Sequence, residues 1–203
     1  FLTGGTDRLG RIADGNTVCD YDPEEIRRQT SISLAVAPVE YDSCKINVLD
    51  VPGGFDFAGE VAEAVQAADA AVIVCSAKAG MSVGAEKAWK YCEKNSLPRL
   101  LYISKTDEEN SDYNAAFNTL RERFGKNIAP VVVPIWDENK KVTGIIDVLN
   151  KRAYEMQGGK RVEIEVPEDK VSVIEEFNDA LKESVAETSE EFMERFFNGE
   201  AFT

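Results

Sequence analysis

The chain has 203 residues, 43% of them hydrophobic and 30% charged, so it can bury a core and is not a disordered tail. Its 23 basic and 37 acidic residues leave a net charge of -14, which argues against a protein that coats nucleic acid with a basic surface. Histidine is absent, and this excludes triads, general bases and metal sites that are built on histidine.

The pattern of cysteines predicts a protein of the reducing cytoplasm. Four cysteines are scattered and form no CxxC pair, a pattern that favours reduced thiols over a zinc site. Cys75 lies inside an apolar run and is predicted to be a buried free thiol. The sequence contains no signal peptide and no apolar run of transmembrane length. Because the first residue is Phe1 and not Met, we expect the chain to be a piece of a longer protein.

Strands alternate with helices through residues 1–127. Strands are predicted at 45–50, 70–75 and 100–103. The last two runs are wholly apolar, which is typical of parallel strands buried on both faces. Helices are predicted at 58–68, 85–92 and 113–124, with Gly125 placed to end the third. This alternation predicts an α/β fold with a doubly wound, mostly parallel sheet.

Residues 128–203 differ in character and predict a separate α+β segment. Strands are expected at 131–133 and 142–149, and Gly158-Gly159 predicts a further hairpin. Two helices follow, with apolar stripes over 173–185 and 192–197. Thr188 and Glu191 are predicted to form a capping box ahead of the second helix.

Two short motifs stand at predicted strand ends. Asp50-Val-Pro-Gly53 fits D-x-x-G, in which the Asp accepts from a Mg²⁺-bound water and the Gly N–H reaches a γ-phosphate. Ser104-Lys-Thr-Asp107 is similar to N-K-x-D, in which the Asp accepts from both guanine N–H groups and the Lys stem lies along the base. Either motif alone is more simply a turn after a strand. Their order, with one apolar strand between them, predicts a guanine-nucleotide-binding G domain.

Two elements of such a domain are missing from the 203 residues. The chain contains no G-x-x-x-x-G-K-[ST] phosphate-binding loop, and its first strand is absent with it. The Ser-Ala pair that backs the base should follow the second motif, but the only Ser-Ala is Ser76-Ala77, which precedes it.

The whole chain resembles elongation factor G, and in particular its diverged second paralogue, the elongation factor G-like translational GTPases. Residues 15–33 resemble the first switch segment of that family, and 50–57 resemble the second. Residues 84–89 and 97–98 resemble the next helix and its exit. The segments 144–154, 185–191 and 197–203 resemble the G′ insert. The resemblance implies a P-loop GTPase fold, with a partial G domain at 1–127 and the G′ insert at 128–203.

The resemblance assigns roles to individual residues. Ser31 stands where the family has its Mg²⁺-binding threonine, with Thr30 the alternative if the register is shifted by one. Asp50 and Gly53 keep the Mg²⁺ and γ-phosphate roles. The guanine roles fall to Lys105 and Asp107, while Ser104 replaces the usual Asn and weakens that contact.

Gly54 is the largest departure from the family pattern. The family has a catalytic His there that positions the attacking water, and Gly can neither orient nor polarise a water. We therefore expect slow GTP hydrolysis in the intact protein and no activity in this chain alone.

The implied function is that of a GTP-binding piece of a translational GTPase that acts on the ribosome with GTP or GDP and Mg²⁺. The implied partners are the ribosomal stalk protein, through the insert, and ribosomal RNA, through the switch face; no membrane or DNA partner is expected. The alternative is a hydrolysis-deficient, ribosome-docking or regulatory module that binds little or no nucleotide. The charged residues Asp22, Glu24 and Glu25, beside Arg27 and Arg28, are interpreted as a solvated loop.

Overall fold

A computed structural model describes residues 3–125, 127–139, 141–158 and 160–200. These form two compact units. The first comprises the described residues up to Cys75 together with Ser82–Tyr102, and the second comprises Ser76–Met81 and the described residues from Ile103 onward. No helix in these ranges is long and apolar enough to cross a membrane. The predicted domain boundary between residues 127 and 128 stays a prediction.

The first unit begins with a short helix and a two-stranded hairpin. Helix α1, Pro23–Arg28, precedes strands β1, Ala35–Tyr41, and β2, Cys44–Asp50. The two strands are antiparallel, with Ala35 opposite Asp50 and Tyr41 opposite Cys44. Asp42 and Ser43 both have positive φ, as a two-residue hairpin turn requires. The sequence predicted β2 but not β1.

The first unit has two further helices, one before and one after the first of its two apolar strands in the sequence. Helix α2 spans Ala58–Ala67, and α3 spans Val83–Lys94. The side chain of Ser82 accepts the Ala85 N–H at 3.1 Å and caps the start of α3. Both helices were predicted to within a few residues, because their apolar stripes recur at helical spacing.

The predicted apolar strands form a parallel pair. Strand β3 spans Ala71–Ser76, and β4 spans Arg99–Ser104. The Ala71 N–H donates to Pro98 and the Ala77 N–H donates to Ser104, so both strands run in the same direction. Cys75 is a buried thiol, as predicted, and burial raises its pKa.

The expectation that both strands are buried on both faces was wrong. One face of β3 is buried at Ile73 and Cys75. Side chains on alternate positions of both strands are between 58% and 63% exposed: Val72, Val74, Leu100 and Tyr102. The apolar runs therefore predicted both strands correctly, but they did not predict that one face of these strands is exposed.

The second unit contains helix α4 and a four-stranded antiparallel sheet. Helix α4 spans Tyr113–Phe124 and ends at Gly125, as predicted. The sheet has the order β5-β6-β7-β8. Its strands are Val132–Trp136, Val142–Asp147, Arg152–Gln157 and Lys160–Ile164. The predicted hairpin joins β7 to β8; Gly159 in its turn lies outside the described residues.

Two helices complete the second unit. Helix α5, Val171–Ala186, packs against the sheet, and α6 spans Glu190–Phe197. The core combines buried side chains of the sheet and of α5, namely Val133, Ile135, Ile146, Val148, Ala153 and Ile174, with Phe177 partly buried against them. Such a packed layer of sheet and helix is the usual solution for burying one apolar face of each.

The predicted capping box of α6 was wrong, because the N-cap lies one residue later and Phe192 stands at the third helical position. Ser189, not Thr188, is the N-cap, and its side chain accepts the Phe192 N–H at 3.2 Å. The Thr188 hydroxyl instead donates to the Val185 carbonyl at 2.7 Å, at the end of α5. Neighbouring Thr and Ser are both good N-caps, so the sequence alone did not separate them.

Candidate functional site

The residues predicted to hold magnesium and phosphate lie in the first unit. Asp50 is the last residue of β2, and the chain then passes through buried Pro52 to Gly53. Gly53 is exposed, and a Cβ added to it would meet no atom within 4 Å. The protein itself therefore leaves open space beside this backbone, as close approach of a ligand to its N–H requires.

Asp50 also contacts the segment that carries Ser31. The thiol of Cys19 is hydrogen-bonded to the Asp50 side chain. Burial raises the pKa of Cys19 to about 11, and the negative charge and hydrogen bond of Asp50 add to that rise. Cys19 is thus a neutral thiol at physiological pH, and as a donor it can satisfy the carboxylate of Asp50.

Ser31 lies in the same region and points at a carboxylate. Its hydroxyl donates to Asp20 Oδ1 at 2.7 Å, and Ser31 is half-buried. Thr30 is exposed, and its backbone N–H donates to the Glu25 carbonyl at 3.2 Å. A hydroxyl and a carboxylate oxygen are the hard ligands that Mg²⁺ prefers, so the chemistry of Ser31 and Asp50 fits that ion.

The charged stretch before Ser31 is not the solvated loop that the sequence suggested. It forms α1, with Asp22 as N-cap and Glu25 completing a capping box. Glu24 pairs with Arg27 and Arg28 on the surface. Glu25, by contrast, is only 3% exposed. The Asp22-Pro-Glu-Glu25 pattern, a cap followed by proline at the first helical position and by Glu three residues on, was the signal available in the sequence.

Glu25 accepts hydrogen bonds from the backbone that returns toward β1. Its Oε1 lies 2.9 Å from the Ile32 nitrogen and 3.1 Å from the Ser33 nitrogen. These backbone N–H groups hold the pKa of the Glu25 carboxyl below its usual range, although burial opposes the effect. Sequence reasoning missed Glu25 because burial of a carboxylate depends on donors that only the folded backbone supplies.

Gly54 opens a single 3₁₀ turn that leads into α2. The turn spans Phe55–Phe57, and Gly54 has φ of -75°, a value open to any residue. A Cβ at Gly54 would lie 3.1 Å from Cδ2 of Phe57, so a side chain there requires a small shift of that ring. Phe55 is 58% exposed, with the Lys87 Nζ 4.6 Å from its ring centroid.

The residues predicted to read guanine lie in the second unit. Ser104 ends β4, and its carbonyl accepts the Ala77 N–H at 2.8 Å. Lys105 adopts positive φ, which turns the chain sharply away from the strand. Asp107 is exposed at this turn, so its carboxylate is accessible to a ligand.

Glu108 is a nearby residue that the sequence analysis did not single out. Its carboxylate lies 3.2 Å from the Lys78 Nζ and 3.5 Å from the Lys105 Nζ. The hydrogen bond from Lys78, with the charge of Lys105, holds the pKa of Glu108 below its usual range. The three side chains are between 37% and 58% exposed, so this network is screened by salt and contributes little to stability.

The predicted residues thus fall into two sets, each ordered by its own unit. Ser31, Asp50 and Gly53 belong to the first, and Ser104, Lys105 and Asp107 to the second. Within the described ranges, no three His, Cys, Asp or Glu side chains are grouped as a metal site. Two protein ligands are enough for Mg²⁺, which completes its shell with water and phosphate oxygens.

The fold class is that of the P-loop GTPases, a class of α/β nucleotide-binding domains. The family model described as the elongation factor Tu GTP binding domain matches residues 1–195. The chain therefore belongs to this family of elongation factor GTP-binding domains.

Individual relatives agree with that assignment. Proteins named elongation factor G-like protein in two strains of Mycobacterium tuberculosis are 37% identical over 195 residues, which is 95% of this chain and 26% of theirs. A crystal structure of a protein from Thermus thermophilus superimposes with a TM-score of 0.90 at 37% identity. It covers 100% of this chain, which spans 30% of that one. The predicted relationship to elongation factor G-like proteins and the predicted fold class are confirmed.

Proposed function

We propose that this chain is the GTP-binding part of an elongation factor G-like translational GTPase that acts on the ribosome in the cytoplasm. The observation that carries the proposal is the pairing of two motifs at strand ends, Asp50-x-x-Gly53 after β2 and Ser104-Lys-x-Asp107 after β4. The chain spans about a quarter to a third of the relatives it matches. Hydrolysis and ribosome binding are therefore proposed for the intact protein.

Residues of the first unit bind the phosphate end of the nucleotide. Ser31 and Asp50 hold Mg²⁺, Ser31 through its hydroxyl and Asp50 through its carboxylate, directly or by a bound water. The ion neutralises charge on the phosphates. The Gly53 N–H donates to the γ-phosphate, and loss of that phosphate releases both switch segments.

The base falls to residues of the second unit. The Asp107 carboxylate accepts from guanine N1–H and N2–H₂, a donor pair that adenine does not present. The methylene stem of Lys105 covers one face of the base. Ser104 offers one hydroxyl where the family has an amide, so we expect weaker affinity for guanine without loss of the preference for it.

Hydrolysis is expected to be slow because of Gly54. Phosphoryl transfer needs no covalent nucleophile, so catalysis depends on positioning the water and stabilising charge. Gly54 offers no side chain for the first task. This supports a second candidate function, a hydrolysis-deficient module that docks on the ribosome, with the acidic G′ insert meeting the stalk protein and the switch face meeting ribosomal RNA.

Calorimetric titration of GDP, GTP and ATP with Mg²⁺ tests the proposal. The samples are this chain and the intact protein, each beside its Asp50→Ala variant. We expect the intact protein to bind guanine nucleotides in preference to ATP, and Asp50→Ala to weaken binding only when Mg²⁺ is present. Binding of neither guanine nucleotide would overturn the nucleotide assignment and favour the docking module.

Ribosome-stimulated turnover separates the two candidate functions. Phosphate release by the intact protein is measured with and without ribosomes, using Gly54→His and Gly54→Ala variants. Both variants meet the Phe57 ring, but only the first supplies an imidazole. Stimulation by ribosomes in the unmodified protein supports the GTPase, whereas turnover that appears only in Gly54→His supports the docking module.

A further inference from the structure

The Glu25 carboxylate is buried, charged and unused by the functions assigned so far. It projects from α1 and is 3% exposed. A buried carboxylate is costly unless donors compensate for the lost water. The structure supplies those donors from backbone on both sides of Ser31, and this placement connects Glu25 to a predicted magnesium ligand.

Five backbone N–H groups converge on Glu25. Its Oε1 accepts from Ile32 at 2.9 Å and from Ser33 at 3.1 Å, and its Oε2 accepts from Asp22 at 3.2 Å. The backbone carbonyl of Glu25 accepts from Thr30 at 3.2 Å and from Gln29, the C-cap of α1. The carboxylate thus holds the two residues after Ser31, whereas the bonds from Thr30 and Gln29 go to the backbone carbonyl and do not depend on the side chain.

The hydroxyl of Ser31 is directed at a different carboxylate, that of Asp20. The hydroxyl donates to Asp20 Oδ1 at 2.7 Å. The next backbone N–H, that of Leu34, donates to Glu60 Oε2 at 2.6 Å, and Glu60 lies on α2. Carboxylates on α1 and α2 therefore hold three successive residues, 32 to 34, at the entry to β1.

These hydrogen bonds depend on the charge of Glu25. Backbone N–H groups bind an ionised carboxylate about twice as strongly as a neutral acceptor. A glutamine of the same size keeps one acceptor oxygen but presents an NH₂ group where the second oxygen accepted. One of the two anchoring points, Asp22 or the Ile32–Ser33 pair, must then face a donor.

We propose that Glu25 is a positioning residue: its ionised carboxylate fixes the backbone of Ile32 and Ser33, the two residues that follow Ser31, and so sets the Mg²⁺-dependent part of nucleotide affinity. The second half of this proposal rests on the proposed nucleotide binding. The first half concerns the chain alone and is tested separately.

Amide hydrogen exchange of this chain tests the positioning role. Glu25→Gln is compared with Glu24→Gln, a matched control on the same helix whose carboxylate pairs only with surface Arg27 and Arg28. We expect exchange at Ile32 and Ser33 to accelerate about tenfold or more in Glu25→Gln and to stay unchanged in the control. Unchanged exchange in both variants would overturn the proposal.

The unmodified chain provides a check that needs no variant. The Ile32 and Ser33 amides should be protected, because both are hydrogen-bonded to a buried carboxylate. Exchange of these two amides at the rate of free peptide would contradict the contacts, whatever the variants do. Exchange at Ile146 in the second unit reports whether Glu25→Gln leaves the rest of the chain folded.

Nucleotide titration of the intact protein tests the link to Mg²⁺. The affinity for GTP is measured with Mg²⁺ and with a chelator, in the unmodified protein and both variants. In Glu25→Gln we expect the gain in affinity from Mg²⁺ to fall about tenfold, while metal-free affinity stays the same. An equal loss under both conditions would show a general structural role and reject the Mg²⁺ link. If the unmodified protein binds no nucleotide, the proposed function fails, while amide exchange still decides the positioning role.

Discussion

Asp107 carries the proposed preference for guanine because its two oxygens can accept from two neighbouring donors at once. The residue is exposed at the turn that follows β4, where positive φ at Lys105 redirects the chain. Its carboxylate is thus accessible to a base. Changing the donor and acceptor pattern of this one side chain should change which base is bound.

We predict that Asp107→Asn exchanges the preference of the intact protein from guanine to xanthine nucleotides. The amide keeps one acceptor and presents a donor where guanine also has a donor, whereas xanthine has a carbonyl there. Affinity for GDP should fall at least about a hundredfold, and affinity for xanthosine diphosphate should rise. Competition binding with both nucleotides measures this, and Asp112→Asn, at the N-cap of α4, is a control that should leave the preference unchanged.

Glu25 should give the first unit a pH-dependent stability of definite sign. Its folded pKa is held below the ordinary 4.5 by the backbone N–H groups of Ile32 and Ser33. The stabilisation is therefore present above pH 4.5 and is lost as the pH falls through the folded pKa. We expect Glu25→Gln to lower the free energy of unfolding by about 1–3 kcal/mol at pH 7, with the difference from the unmodified chain shrinking at acid pH.

Urea unfolding at pH 7 and below pH 4.5 measures this difference, with Glu24→Gln as the control. Surface pairs with Arg27 and Arg28 lower the pKa of Glu24 to about 2. Its contribution should disappear in high salt, because exposed ion pairs are screened. A constant difference between Glu25→Gln and the unmodified chain at all pH values would contradict the assignment.

Strands and helices were predicted correctly where the sequence contains one clear periodic or apolar pattern. Helices α2, α3 and α4 and the apolar strands β3 and β4 were all predicted. Strand β1 was not, because its seven residues include Pro38, and proline within a run argues against a strand. Pairing with β2 makes this segment a strand, and that pairing depends on the whole hairpin and not on the local sequence.

Where two adjacent residues carry hydroxyls, the backbone conformation at the start of the helix decides which of them is the N-cap. We predict that Ser189→Ala destabilises the second unit by about 1 kcal/mol, because the Phe192 N–H loses its acceptor. Thr188→Ala is the matched control and should have a smaller effect, since its hydroxyl donates to a carbonyl of α5. Thermal unfolding of both variants decides between them, and a larger effect of Thr188→Ala would contradict the assignment of Ser189 as the N-cap.

The largest difference between sequence and structure across the molecule concerns apolar surface. Val72, Val74, Leu100 and Tyr102 expose more than half of their surface on neighbouring strands. Contiguous exposed apolar groups on a sheet favour association and aggregation.

We predict that the purified 203-residue chain binds a hydrophobic dye and self-associates as its concentration rises. Val72→Thr with Val74→Thr should reduce both effects while preserving the strand, since threonine keeps the β-branched shape. Ile73→Thr is the control on the buried face, and it should destabilise the chain without reducing dye binding. Light scattering and dye fluorescence measure the outcome; a monomeric chain without dye binding would contradict the prediction.

The sequence by itself determined most of the elements in their order, the two motifs and the family. These depend on residue type and local spacing, which are present in the chain before it folds. Tertiary structure alone decided the burial of Glu25, the pairing of β1 and the exposed face of β3 and β4. Each of these depends on which distant backbone or side chain comes to lie beside a residue. From the sequence alone, a carboxylate such as that of Glu25 is expected to lie at the surface. In the folded chain it is buried, and the Ile32 and Ser33 N–H groups donate hydrogen bonds to it.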